Sequence, residues 1–179
     1  PKHCLQQSSE VKNKFHNGAE ALIRWETIEH GIIAPNTTIP LIEHLGSEAE
    51  LIRWLINSTL KKLSEESTLA PNNSISINVP AASITTKVLY QILEEAFSLW
   101  DVEPQRLTLE ITENVFLHDF EQVKPILHTL RQMGFGISLD DFGTGYSSLS
   151  YLKRFPVDKL KIDREFIRHL PADQEDLAI

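Results

Sequence analysis

The sequence predicts an α/β fold, a TIM-type (β/α)8 barrel of which the 179 residues cover about five to six strands. Two patterns lead to this class. Short runs with alternating apolar and polar residues follow one another along the chain, separated by segments with apolar residues at helical spacing. Each short run also carries small or polar residues opposite its apolar face, so helices can cover only one face. A closed barrel gives the polar faces a common interior.

The strands are expected where side chains alternate between two faces. A short stub leads to Gln6, and five strands follow in the runs GAEALIR, SISINV, LTLEIT, GISLD and KLKID. The polar side chains that share the inward parity of these strands are Glu20, Asn78, Glu110, Asp140 and Lys161. Because such barrels carry their functional groups at the carboxyl ends of the strands, we expect these side chains to converge.

Three segments between the strands are predicted as helices. Apolar stripes at helical spacing run over residues 51–63, 88–97 and 120–133. Gly134 is expected to end the third helix. Pro125 favours the first turn of a helix, so this helix is expected to begin after residue 119. A short fourth helix is expected after residue 145.

Asp140 and Asp141 stand where the brief strand 136–140 runs into the turn FGTG. Gly143 and Gly145 supply two positions that adopt positive φ at little cost. Adjacent carboxylates repel each other, and a divalent cation keeps both ionised, with oxygen ligands favouring magnesium, manganese or calcium over zinc. A solvated acidic turn is the simpler interpretation of the pair alone. The other polar residues at strand ends favour a metal site.

Several of these residues also have a purely structural interpretation. Asn78 alone would more often cap a strand end, and Lys161 could form an ion pair with Asp163 or Asp140. Glu110 is harder to explain in this way, because a carboxylate on the inward face of a strand needs a partner. A metal site would use all of them.

Composition indicates one globular domain. The chain is 41% hydrophobic, has one cysteine and has no apolar run long enough to span a membrane. We therefore expect a cytoplasmic location, with membrane contact only through domains not present here. The net charge of −8 argues against duplex nucleic acid as the main partner. A small anionic nucleotide is compatible with this charge, because bound metal ions supply a local positive field.

Five motifs in a fixed order resemble those of EAL domains, the family of cyclic di-GMP phosphodiesterases. They are GAEALIRW at 18–25, INVP at 77–80, LTLEITE at 107–113, DDFGTGYSSL at 140–149 and KLKIDREFI at 159–167. The resemblance covers essentially the whole chain. GAEAL alone would be weak, since short strings recur by chance, whereas five ordered motifs are specific.

The resemblance implies hydrolysis of one phosphodiester of cyclic di-GMP, giving the linear dinucleotide pGpG in bacterial second-messenger signalling. It implies a two-metal site with Mg²⁺ or Mn²⁺. The residues that match the family's metal ligands are Glu20, Asn78, Glu110, Asp140 and Asp141. Lys161 matches a lysine near the attacking water, and the match makes Lys161 and Asp141 the implied catalytic residues.

The resemblance also implies substrate contacts and a loop contact. Gln6, Leu22 and Arg24 match substrate-contacting positions, although Gln7 stands where the family usually has proline. Glu113 matches a carboxylate that steadies the loop after the aspartate pair. Without the resemblance, Glu113 and Gln6 would be interpreted as solvated residues.

The chain is shorter than a closed barrel, which usually needs roughly 250 residues. We expect residues 1–179 to be a partial EAL domain that lacks the family's last metal-binding glutamate and a base-holding glutamine. The 179 residues alone are then expected to turn over poorly. Open sheet edges also leave pairing with a second copy, a homodimer, as an alternative. Two other functions stay open: a non-catalytic cyclic di-GMP receptor, and a partner-binding domain with a vestigial site.

Overall fold

The computed structural model describes residues 2–8, 18–65, 73–84, 87–143 and 156–163. Within these residues lie seven strands of one sheet and five α-helices. None of the helices in this part of the chain combines the length and the apolar character needed to cross a membrane.

The strands and helices alternate along most of the chain. The strands are β1 (Lys2–Ser8), β2 (Gly18–Thr27), β3 (Gly31–Ile33), β4 (Ser74–Asn78), β5 (Leu107–Thr112), β6 (Gly136–Phe142) and β7 (Lys159–Ile162). The helices are α1 (Pro35–Leu45), α2 (Glu48–Glu65), α3 (Ala81–Ile84), α4 (Lys87–Leu99) and α5 (Glu113–Gln132). A 3₁₀ turn over Pro104–Arg106 leads into β5.

The sheet has the strand order β1-β2-β4-β5-β6-β7, and all pairs from β2 to β7 are parallel. This is the arrangement of part of a TIM-type barrel, as predicted. The start of the chain differs from the prediction. Instead of a stub, β1 is a seven-residue strand that pairs antiparallel with β2. The short β3, which was not predicted, forms a hairpin with β2 through Gly31 at φ 64°.

The core lies between the sheet and the helices. Side chains on the apolar face of β4, β5 and β6 are fully buried: Ile75, Ile77, Leu107, Leu109, Ile111, Ile137 and Leu139. They belong to the same apolar core as helix residues such as Leu60 of α2 and Leu127 of α5. The predicted two-faced strands are confirmed, because Thr108, Glu110 and Ser138 alternate with these residues and are also buried.

Helix α5 begins earlier than predicted. It starts at Glu113, directly after β5, and Pro125 lies inside it. Proline removes one backbone donor, and the helix nonetheless runs through Pro125 over 20 residues. The Thr129 hydroxyl donates to the Pro125 carbonyl at 3.1 Å. The predicted end is confirmed by Gly134, which has φ 98°.

Asp158 connects the beginnings of β6 and β7. Its backbone N–H donates to the Ile137 carbonyl at 2.8 Å, and its Oδ2 accepts a hydrogen bond from Ile137 N at 2.9 Å. Its Oδ1 lies 2.6 Å from Arg131 Nη2 at the end of α5. These contacts fix the two strands that carry Asp140 and Lys161.

Strand β7 is the last strand of the sheet among the described residues. Its apolar side chains Leu160 and Ile162 are exposed. The predicted fourth helix, after residue 145, lies outside the described residues.

Candidate active site

Three carboxylates and a lysine meet at the carboxyl ends of parallel strands. Lys161 Nζ lies 2.9 Å from Glu110 Oε2, 3.0 Å from Asp140 Oδ2 and 3.2 Å from Glu20 Oε2. One oxygen from each of the three carboxylates lies within 4.8 Å of the other two. We call Glu20, Glu110 and Asp140 the carboxylate cluster.

Strand register explains why these residues meet. Asn78 of β4 is the register partner of Glu110 of β5, and Thr112 is that of Asp140 in β6. Asn78 Nδ2 donates to Glu20 Oε1 at 2.9 Å, which ties β4 to β2 at this end of the sheet. The structure therefore brings together all five residues with predicted inward parity. The ion pair of Lys161 with Asp140, the structural alternative, is also part of this arrangement.

Burial and neighbouring charges change the acid–base properties of the cluster. Burial raises the pKa of Glu110, and the hydrogen bond and charge of Lys161 oppose this rise. For Lys161, burial lowers the pKa, but contacts with Glu110 and Asp140 outweigh it and raise the pKa overall. Lys161 is therefore a cation at neutral pH.

Asp141 has an unusual backbone conformation. Its φ is 54°, and the register of β6 with β7 shifts between Leu139 and Phe142. Contrary to the prediction, β6 continues through both aspartates, with an irregularity in place of a strand end. Asp141 N donates to Asp140 Oδ1 at 3.0 Å. Burial, followed by the charges of Asp140 and Asp163, raises the pKa of Asp141.

Glu113 lies beneath the turn that follows the aspartates. It is 4% exposed, and its Oε2 accepts a hydrogen bond from Gly143 N at 2.9 Å. Gly143 has φ 103°, as the sequence predicted for this position. The loop contact expected of Glu113 is thus present, while its importance for activity stays a prediction. Gly145 lies outside the described residues.

The three predicted substrate-contacting residues lie on β1 and β2. Gln6 is the register partner of Glu20, and Leu22 and Arg24 follow Glu20 at alternate positions of β2. The Arg24 guanidinium donates to the Ile23 carbonyl at 2.8 Å. Contact of these residues with a substrate stays a prediction.

A cavity of about 300 Å³ adjoins the carboxylate cluster between the strand ends and helices α1 and α2. It is lined by Ile23, Ile39, Glu43, Leu51, Ile52, Leu55, Asn78, Val79, Pro80, Glu110 and Thr112. No sequence pattern indicated this cavity, because most of its lining residues are apolar and belong to ordinary helix and strand patterns. A larger cavity of about 470 Å³ lies at the opposite end of the strands, near Arg131 and Asp158.

The family model described as EAL domain matches residues 5–179. The chain belongs to the EAL domain family. The relative "Bifunctional diguanylate cyclase/cyclic di-GMP phosphodiesterase MucR" of Pseudomonas aeruginosa is 41% identical over 164 residues, which is 90% of this chain and 24% of that protein. "Cyclic di-GMP phosphodiesterase NbdA" of the same species is 35% identical over 166 residues, 89% of this chain and 21% of NbdA.

Solved structures agree with this assignment. The phosphodiesterase of MucR in complex with c-di-GMP superposes with a TM-score of 0.88 at 37% identity, covering 98% of this chain and 71% of that one. This chain spans about a quarter of the full length of the two curated relatives, MucR and NbdA.

The carboxylate cluster fits a hard divalent cation. It offers three carboxylates at one point, and such cations prefer oxygen ligands. A soft ion such as Cu(I), which selects sulfur ligands, would find none among these residues. The cluster could therefore hold a metal ion.

Proposed function

We propose that this chain contributes to metal-dependent hydrolysis of cyclic di-GMP to pGpG in bacterial second-messenger signalling. The observation that carries the proposal is the meeting of Glu20, Glu110, Asp140 and Lys161 at the strand ends. The names of MucR and NbdA, and the c-di-GMP bound to the solved MucR domain, support the choice of substrate. We further propose that residues 1–179 form part of one EAL domain.

The carboxylate cluster, together with Asn78 and Asp141, is proposed to hold two Mg²⁺ or Mn²⁺ ions. Bound divalent ions supply Lewis-acid activation of water and of the phosphate. All proposed ligand atoms are oxygens, and the Asn78 amide adds an oxygen without adding negative charge. Asp140 and Asp141 would point to opposite faces of a regular strand, so the register irregularity of β6 would allow both to serve the same centre.

The remaining residues are proposed to position the substrate and the loop. Lys161 and Asp141 are the proposed catalytic residues, with the Lys161 ammonium placed to offset phosphate charge. Arg24 can bind a phosphate through its planar guanidinium. Leu22 lies two residues before Arg24 on β2, and Gln6 lies opposite Glu20 on β1. Glu113 steadies the turn after Asp141 through its bond to Gly143 N.

The setting of this activity is proposed as well. The location is the cytoplasm, or the cytoplasmic side of a membrane-anchored parent protein, in keeping with the single cysteine. The net charge of −8 makes duplex nucleic acid an unsuitable partner. A homodimer is compatible with the exposed apolar side chains of β7, the last strand of the sheet among the described residues.

The test is turnover of cyclic di-GMP with Mn²⁺ by the chain extended past Ile179 to a full EAL domain. Glu110→Ala or Asp140→Asn is expected to reduce the rate at least about a thousandfold, because each removes a proposed ligand of the ions that lower the barrier. Glu94→Ala is the matched control, since Glu94 is an exposed glutamate on α4, a helix that contributes no residue to the cluster. Unchanged turnover in the cluster variants would refute the proposal. Tight binding of cyclic di-GMP without hydrolysis by the metal-loaded domain would instead indicate a receptor.

A further inference from the structure

All three N–H bonds of the Lys161 ammonium group face carboxylates. Nζ lies 2.9 Å from Glu110, 3.0 Å from Asp140 and 3.2 Å from Glu20. An ammonium group has three donors and no acceptor, so these three hydrogen bonds use its full capacity. Lys161 therefore lies at the point on which the carboxylate cluster converges.

The same ammonium group limits the repulsion within the cluster. The three carboxylate oxygens lie within 4.8 Å of one another, and Glu110 is only 4% exposed, so water screens the site poorly. The Lys161 charge is the positive charge that the structure places among them. Its removal would leave like charges facing each other in a half-buried site.

A divalent cation on these oxygens would need the same space. Hard cations lie about 2.0–2.6 Å from their oxygen ligands. The Lys161 nitrogen lies 2.9–3.2 Å from oxygens of the same three carboxylates. A metal ion and an ammonium group among the same oxygens would repel each other strongly, because water screens the site poorly. Each therefore excludes the other from the centre of the cluster.

We propose that Lys161 and a divalent cation compete for the centre of the carboxylate cluster, so that metal binding displaces the ammonium group. This inference rests on the proposed function, because it assumes that the cluster holds the ion. Lys161 then has two positions: one in which it neutralises the cluster, and one in which it is released from the carboxylates. By linkage, the contact that stabilises the first position weakens cation binding by the same factor.

Displacement would also give Lys161 a second use. The side chain stays attached to β7 beside the cluster, so the released ammonium group lies next to any anionic ligand bound there. Cation binding thereby makes the lysine charge available to a phosphate. Without the cation, the ammonium group stays hydrogen-bonded to the three carboxylates.

Calorimetric titration with Mn²⁺ tests the competition directly. Lys161→Met is expected to bind Mn²⁺ about tenfold more tightly or better, because the competing charge is gone. The melting temperature of the same variant in EDTA is expected to fall by about 5 °C, because partly buried carboxylates lose their partner. Lys159→Met removes the same charge from an exposed position two residues earlier on β7, and its Mn²⁺ affinity should match that of the unaltered chain. Equal or weaker binding by Lys161→Met would overturn the inference.

A second measurement needs no variant and so does not depend on a variant that folds. The unaltered chain is treated with an amine-acetylating reagent in EDTA and in saturating Mn²⁺, and labelling is followed by mass spectrometry. Lys161 should react several times faster with Mn²⁺ present, while Lys159 serves as the internal reference with an unchanged rate. Labelling of Lys161 that is unchanged or slower would contradict displacement.

The outcomes separate this inference from the proposed function. Mn²⁺ binding of equal strength to the unaltered chain and to Lys161→Met overturns the competition alone. Absence of Mn²⁺ binding in both overturns the competition and the metal centre together. Competition without cyclic di-GMP hydrolysis in the extended domain supports the inference and refutes the proposed catalysis.

Discussion

Asp158 should stabilise the fold through one buried hydrogen bond more than through its ion pair. In Asp158→Ala, the N–H of Ile137, a fully buried residue, loses its acceptor, which costs about 1–3 kcal/mol of unfolding free energy. The half-exposed pair with Arg131 adds about 0–1 kcal/mol. The sum of about 1–4 kcal/mol corresponds to a melting temperature lower by roughly 2–16 °C for a chain of this size.

Two further variants separate these contributions. Asp158→Asn keeps an oxygen that can accept from Ile137 N, and Arg131→Gln removes only the ion pair. Each should therefore cost less than about 1 kcal/mol. Thermal and urea unfolding followed by circular dichroism measure all three variants. A destabilisation by Arg131→Gln as large as that by Asp158→Ala would contradict this prediction, because the ion pair would then account for the loss.

Substitutions at three other sites test the close packing at Gly136, the ionisation of Tyr90 and the loop contact of Glu113. A Cβ at Gly136 would lie 2.9 Å from Thr108 Oγ1, so Gly136→Ala should cost about 1–3 kcal/mol in urea unfolding, with partial recovery when Thr108→Ala is added. Burial raises the pKa of Tyr90, whose hydroxyl donates to Ile126 O. The contribution of Tyr90 to stability is therefore complete below the ordinary tyrosine pKa of 10.0 and is lost as pH rises above that value. The difference in stability between the unaltered chain and Tyr90→Phe should shrink over that pH range, and a constant difference would contradict this. Glu113→Ala should reduce cyclic di-GMP turnover in the extended domain about tenfold or more, because the hydrogen bond from Gly143 N to the carboxylate is lost. Glu113→Gln keeps an acceptor, so its turnover should fall less. An equal fall in turnover in both variants would argue against a role for this hydrogen bond.

Strand faces were the most predictable feature of the fold. Side chains alternate with a period of two, so the apolar Leu109 and Ile111 fix the opposite direction for Glu110. Parallel pairing then brings the ends of neighbouring strands to one edge of the sheet. This is why Glu110, Asp140 and Lys161 could be placed together from their spacing alone.

Features that depend on nonlocal pairing were not predictable. The antiparallel direction of β1 and the hairpin with β3 follow from how the sheet begins, and the three residues of β3 are too few to show a period. The early start of α5 reflects its position directly after β5, which local proline preference at Pro125 does not encode. No feature of the sequence around Asp141 predicted its φ of 54°, although aspartate tolerates the left-handed region better than most residues.

Side-chain contacts within the site were only partly predictable. The sequence allowed Lys161 to pair with Asp140 or Asp163, but strand parity does not specify which oxygens a long flexible side chain reaches. The structure shows contacts with all three carboxylates of the cluster. Asn78, predicted to offer an oxygen to a metal, donates from its nitrogen to Glu20 Oε1 on the neighbouring strand β2.

Hydrolysis of cyclic di-GMP with Mn²⁺, followed chromatographically, tests most directly whether the carboxylate cluster serves a phosphodiesterase. The measurement compares the chain itself, the chain extended past Ile179 to a full EAL domain, and the extended domain carrying Glu110→Ala. We expect pGpG formation by the extended domain, loss of it with Glu110→Ala, and little or none from the 179 residues alone. Absence of turnover in the extended domain, or turnover that survives Glu110→Ala, would contradict the proposed function.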